Sequence, residues 1–203
     1  MSFTVWLTGR PRAGKTALGR LLAAELGARL PQVRHLDGDE LRQGPLADLG
    51  FLPAERRAAN LRVAWAARLL NEHGVACVVG QIAPYAAIRD ELRSTLPGYV
   101  EVYLECPLEL AMNRDAEGLY ARALAGELGP FSGLDDPYEE PAAPHIICPT
   151  GRQSPAESLA MVLAWLEAAG LVPPGPAAAS QDSPYTPEEE RLVEQRLKDL
   201  GYL

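Results

Sequence analysis

Gly9 to Thr16, within "TGRPRAGKTALGRLL", constrain this chain more than any other stretch. They satisfy the pattern G-x-x-x-x-G-K-[ST], set between the apolar run "FTVWLTG" and a helical pattern carrying Leu18, Leu21, Leu22 and Leu26 on one face. A strand, a glycine-bearing loop and a helix in that order aim successive backbone N–H groups and the positive helix end at an anion. Gly9, Arg12, Ala13 and Gly14 are the expected cradle for the phosphates of a nucleotide. Lys15 reaches toward the β and γ phosphates, and Thr16 offers an oxygen to Mg²⁺. Arg12 stands where glycine would let the backbone approach its ligand closely; its side chain either touches a phosphate or points to solvent.

The remaining pattern places that loop in a larger α/β fold. A helix over residues 57–72 leads into "VACVVGQIAP", an almost purely apolar run of the kind buried on both faces of a sheet. "YVEVYLECP" reads as a further strand, "LELAMNRDAEGLYARALAGEL" as helices, "PHIICPT" as a last strand, and residues 154–169 as a helix opened by Pro155. Strands alternating with helices imply a three-layer fold of the P-loop NTPase type, with a parallel sheet and helices on both faces. The folded domain that carries the phosphate loop is expected over residues 1–170. A Pro/Ala-rich linker follows over 171–185, then an amphipathic helix over 186–203, capped by Thr186 and striped with Leu192, Val193, Leu197 and Leu200. That helix either folds back on its own domain or docks on a protein partner.

Charge and cysteine content narrow the function classes. With 203 residues and a formal charge of −8, the chain lacks the basic surplus of a general nucleic-acid binder, so an anionic substrate must meet local positive charge. Three cysteines without metal-type spacing suit a reducing cytoplasm. No apolar run approaches the roughly 20 residues of a membrane-spanning helix, and no export signal is visible.

"LDGDELR" carries Asp37, Asp39 and Arg42. Phosphoryl transfer needs a carboxylate to orient an attacking hydroxyl or to hold Mg²⁺, and a cation for an anionic acceptor. Asp39 and Arg42 suit these roles, and the apolar run "VACVVGQIAP" holds no acid that would serve instead.

Taken together, "WLTGRPRAGKT", "LDGDELRQG", "DLGF", "IAPY", "VEVYLECPLELAMNRDAEGLYARALAGE" and "FSGLDDPYEEP" resemble, in order and spacing, the adenylylsulfate kinases (APS kinases) over about Val5 to Leu166. The resemblance implies transfer of the γ-phosphate of MgATP to the 3′-hydroxyl of adenosine 5′-phosphosulfate (APS), giving PAPS, by a protein that is commonly a homodimer. It implies that Lys15 and Asp39 are catalytic, with Thr16 and Asp39 toward Mg²⁺. It further implies that Asp37, Arg42 and Arg56 serve the acceptor, that Phe51 and Phe131 sandwich its adenine, and that Ile82 and Pro84 line its pocket. The same resemblance implies that Arg114 contacts ATP from a cover segment, Arg114 to Tyr120. Stacking on aromatic faces has a plain physical basis, since any flat base offers a π face.

The sequence also departs from the family. Arg12 replaces a usual glycine, Ala83 a serine, Leu46 an asparagine, and Glu117 a lysine that contacts the acceptor's anionic group. Either Arg56 or Arg57 occupies the family's arginine position. Three readings follow: an APS kinase in which Arg12 or Arg57 compensates for the lysine, a kinase of another nucleotide conjugate, or a nucleotide-binding scaffold without turnover. On the first, Glu117→Lys is expected to improve or preserve use of APS.

Overall fold

The computed structural model describes residues 2–175. A compact unit runs through Val172 and a second begins at Pro173. Most of the expected linker and the whole expected C-terminal helix lie outside the described residues.

The chain order is β1 (Thr4–Thr8), α1 (Lys15–Gly27), β2 (Val33–Asp37), α2 (Gly38–Leu41), α3 (Pro53–Glu72), β3 (Ala76–Gly80), α4 (Ala86–Thr95), β4 (Tyr99–Glu105), α5 (Leu108–Asn113), α6 (Leu119–Leu124), β5 (Ile146–Pro149) and α7 (Pro155–Ala168). The five strands form one sheet in the order β2-β3-β1-β4-β5, every neighbouring pair parallel.

Period-2 alternation splits the core into two layers. Val5 and Leu7 of β1, Val78 of β3 and Val102 of β4 face one side, where they meet Leu18, Leu22 and Leu26 of α1 and Val162 and Leu166 of α7. Trp6, Cys77 and Val79 face the other, with Ala59, Val63 and Ala67 of α3 and Ile88 and Leu92 of α4. Leu21 stands outside the α1 stripe and is exposed.

Capping fixes the helix starts. Ser154 accepts the Glu157 N–H at 3.2 Å while Glu157 accepts the Ser154 N–H at 2.7 Å, a reciprocal box at the start of α7. At α3 the Leu52 N–H donates to Glu55 at 3.0 Å ahead of Pro53, so this helix begins four residues before the expected Arg57. Two elements carry no strong sequence signal. β2 is an edge strand of half-exposed residues, and α4 follows an apolar run that the sequence reads as strand through Pro84. The strand in fact stops at Gly80.

Candidate active site

The phosphate loop sits at the carboxyl end of β1, the central strand. Gly9 is required there: a Cβ on it would lie 2.8 Å from the Leu104 carbonyl oxygen of β4. Gly14 takes φ +102° and caps α1 without any side-chain acceptor, and the first turn of α1 carries no acid. The orphan N–H groups of that turn are therefore left for an anion. Lys15 folds over the loop, donating to the carbonyls of Gly9 at 2.9 Å and Arg10 at 2.8 Å. Desolvation of its ammonium lowers the pKa to about 8, against the opposing pull of Asp39 and Asp37.

Asp37, buried at the end of β2, organises the carboxylate side. Its Oδ2 accepts the Thr16 hydroxyl at 2.8 Å, and its Oδ1 accepts the Asp39 N–H at 2.9 Å, which starts α2. Thr16 and Asp39 thus face one cleft while Asp37 stands behind them. That cleft, about 670 Å³, is also lined by Arg12, Gly14, Lys15, Arg42, Phe51, Arg56, Ile82, Pro84, Arg114 and Phe131. Gly9 and Ala13 lie outside its lining, as Asp37 does. The sequence reading missed Asn60, Gln81 and Ser132 on the same walls.

Arginines crowd the cleft around Phe51. The Arg42 guanidinium carbon stands 4.2 Å from the centre of the Phe51 ring, and its Nη1 donates to the Leu49 and Gly50 carbonyls at 2.6 and 3.1 Å. Arg56 lies 5.4 Å from the same ring and 3.3 Å from Asp136, a charge contact without hydrogen-bond alignment. Burial lowers the pKa of both arginines. Arg57 instead points outward to Glu91, so Arg56 is the one in the cleft. Phe131 packs edge-to-face on Tyr120, their centroids 4.9 Å apart.

Residues 81–84 line the cleft as a braced turn. The Trp6 indole donates to the Gln81 carbonyl at 3.2 Å, the Thr8 hydroxyl to that of Ile82, and Arg89 Nη1 to that of Ala83 at 2.9 Å. The Glu139 N–H donates to the Pro84 carbonyl at 2.8 Å. Ala83 holds φ +45°, a left-handed conformation costing roughly 1–2 kcal/mol for a residue with a Cβ.

Arg12 also has a positive φ, +63°. Its side chain is paired within the protein at the edge of the cleft: Nε donates to Asp115 at 3.0 Å and Nη2 lies 2.9 Å from Glu117. Glu117 first and Asp115 after it raise the Arg12 pKa against desolvation. Arg114 donates to the Thr150 carbonyl at 2.7 Å and borders a second cavity of about 320 Å³, shared with Gly14, Ala17, Gln153 and Pro155. No sequence signal marked that β5-to-α7 corner.

A central parallel strand, a phosphate loop opening α1, and a cleft in which Lys15, Thr16 and Asp39 converge define a P-loop kinase. Within that class the chain belongs to the adenylylsulphate kinase family, whose model matches residues 1–149. It is 41% identical to an adenylyl-sulfate kinase of Synechococcus, over 83% of this chain and 96% of that one. It is 44% identical to a probable bifunctional SAT/APS kinase of Sorangium cellulosum, over 88% of this chain but only 31% of the longer relative. The structure superposes on the Mycobacterium tuberculosis APS kinase in complex with AMPPNP and APS with TM-score 0.76 and 35% identity, covering 82% of this chain and 98% of that one.

Proposed function

We infer that the chain is an adenylyl-sulfate kinase that transfers the γ-phosphate of ATP to the 3′-hydroxyl of APS. The observation that carries this reading is the single cleft shared by the phosphate loop, Asp39 and the Phe51 and Phe131 faces with their arginines. In it, the loop amides and Lys15 hold the phosphates, and Asp39 orients the acceptor hydroxyl and receives its proton. The hydroxyl oxygen bonds to the γ-phosphorus as the bond to the β–γ bridging oxygen breaks, and ADP leaves with that electron pair. Lys15 stabilises the charge that moves onto the bridging oxygen. Arg42 and Arg56 take the phosphosulfate, Phe51 and Phe131 stack the acceptor base, Ile82 and Pro84 border it, and Arg114 serves the ATP side.

Thr16 and Asp39 offer a hydroxyl and a carboxylate to the cleft, hard oxygen donors of the kind Mg²⁺ takes beside substrate phosphates, while Asp37 holds the Thr16 hydroxyl from behind. When bound, the metal neutralises phosphate charge. Among the described residues no helix is long and apolar enough to cross a membrane. A homodimer is the proposed assembly.

Glu117 need not turn the reading toward another acceptor. Its carboxylate is matched by Arg12 at 2.9 Å, so it does not present an unpaired negative charge to the cleft. ADP release with MgATP and a panel of APS, AMP, cytidine diphosphate conjugates and water tests the assignment, with mass spectrometry locating the new phosphate. Turnover with APS at low micromolar concentration and a 3′-phosphate is expected; turnover confined to a cytidine conjugate, or ATP binding without transfer, overturns it.

A further inference from the structure

Three contacts fasten the 114–120 cover to the phosphate loop. Arg12 Nε donates to Asp115, Arg12 Nη2 meets Glu117, and the Tyr120 hydroxyl donates to the Pro11 carbonyl at 3.0 Å. The Arg12 contacts differ in weight. Asp115 is only 3% exposed and also accepts the Tyr120 N–H at 2.7 Å, which ties the charge pair to the start of α6. Glu117 is 70% exposed, so water and salt screen it. The backbone at Arg12 resists this arrangement, since φ +63° suits glycine better than arginine. A strained arginine that pairs with a buried carboxylate more than a hundred residues away, at the rim of the cleft, is placed to act on the cover.

We propose that Arg12 is a positioning residue that holds the cover against the phosphate loop before nucleotide arrives, acting mainly through Asp115 and secondarily through Glu117. Arg114, Glu117 and Leu119 of that segment border the cleft. A cover already ordered in the free protein loses less entropy when it closes over a ligand, and binding tightens accordingly. Identifying that ligand as ATP rests on the kinase reading; the ordering itself does not.

Arg12→Gly removes the guanidinium while giving φ +63° to a residue that adopts it freely, so relief of backbone strain offsets part of the lost ion pair with Asp115 and the fold is expected to survive. A charge-assisted hydrogen bond to a buried carboxylate corresponds to a factor of about ten or more. In the ligand-free variant, hydrogen exchange of amides 114–124 should therefore quicken about tenfold, and the KM for ATP should rise about five- to tenfold with kcat moving less than about twofold. Glu117→Lys alone sets two cations face to face and should raise the KM for ATP, even where the KM for APS is preserved or improved. In the Arg12→Gly background that repulsion is gone, and the same change should be neutral or favourable. Unaltered exchange of the cover in Arg12→Gly, or an equal effect of Glu117→Lys in both backgrounds, overturns the proposal. Because exchange is read without any acceptor, its failure is distinct from failure to phosphorylate APS.

Discussion

Replacing Arg89 by methionine tests how the turn beneath the acceptor is held. Arg89 is 3% exposed, donates to the Ala83 carbonyl at 2.9 Å and lies 3.2 Å from Glu101, itself 1% exposed. Methionine keeps most of the aliphatic length but removes both the charge and the donors. The orphaned carbonyl costs about 1–3 kcal/mol, and breaking a buried ion pair about 3–5 kcal/mol. The two do not add in full, because Arg93 still reaches Glu101 at 2.6 Å. Glu101 has a further escape: burial already raises its pKa, against Arg89 and Arg93 and assisted by Asp90, and without Arg89 it rises further. The expected loss is about 3 kcal/mol, a fall in melting temperature of roughly 6–12 °C for a domain of this size.

The pH dependence gives the sign. A carboxyl whose pKa is higher folded than unfolded binds more protons in the native state, so stability falls as pH rises from the unfolded toward the folded value. The Arg89→Met deficit should thus be smaller near pH 5 than near pH 8, as read by urea denaturation. A loss below about 1 kcal/mol at pH 8, or the same loss at both pH values, would refute this account of the turn.

Other expectations follow from the same cleft. Asp39→Ala should cost roughly 10²–10⁴ in transfer while ATP affinity, measured by titration, stays within about threefold; transfer within tenfold of the parent would mean another group receives the proton. Phe51→Ala should raise the KM for APS by at most roughly 5- to 150-fold, the equivalent of one stacked base reduced by the Arg42 contact that the base displaces, and leave the KM for ATP alone; equal changes in both would point to collapse of the cleft. Lys15, with its pKa near 8, should gain a proton when phosphate oxygens arrive. Nucleotide affinity then falls as pH rises above that value, and calorimetry in two buffers of different ionisation heat should detect proton uptake. Binding without uptake just above pH 8 would show the lysine charged throughout.

The phosphate loop was legible because its chemistry is local: spacing, a preceding apolar run and a following helix stripe are enough. β2 was not, because Arg34 and His35 on an edge strand break the apolar pattern that marks a buried one. The run from Gln81 to Pro84 misled for the opposite reason. Its apolar residues border a cleft, while their carbonyls are taken by Trp6, Thr8, Arg89 and Glu139, partners that no local pattern reveals. The Arg12 pairing was hidden in the same way. Sequence offers an arginine and two distant acids, and only the fold brings them together.

The Arg42 guanidinium lying on Phe51 gives the resting protein an internal occupant for a stacking surface. A flat base arriving there exchanges with a cation instead of covering a bare ring. Cation–π contact is worth roughly 0.5–2 kcal/mol and base stacking roughly 1–3 kcal/mol, so the net gain is a difference of comparable quantities. Phe51 as a whole is 47% exposed to begin with. Acceptor binding should accordingly carry a smaller negative heat-capacity change than the apolar area of the complex would suggest, and the released guanidinium becomes free to follow the anionic end of the same ligand.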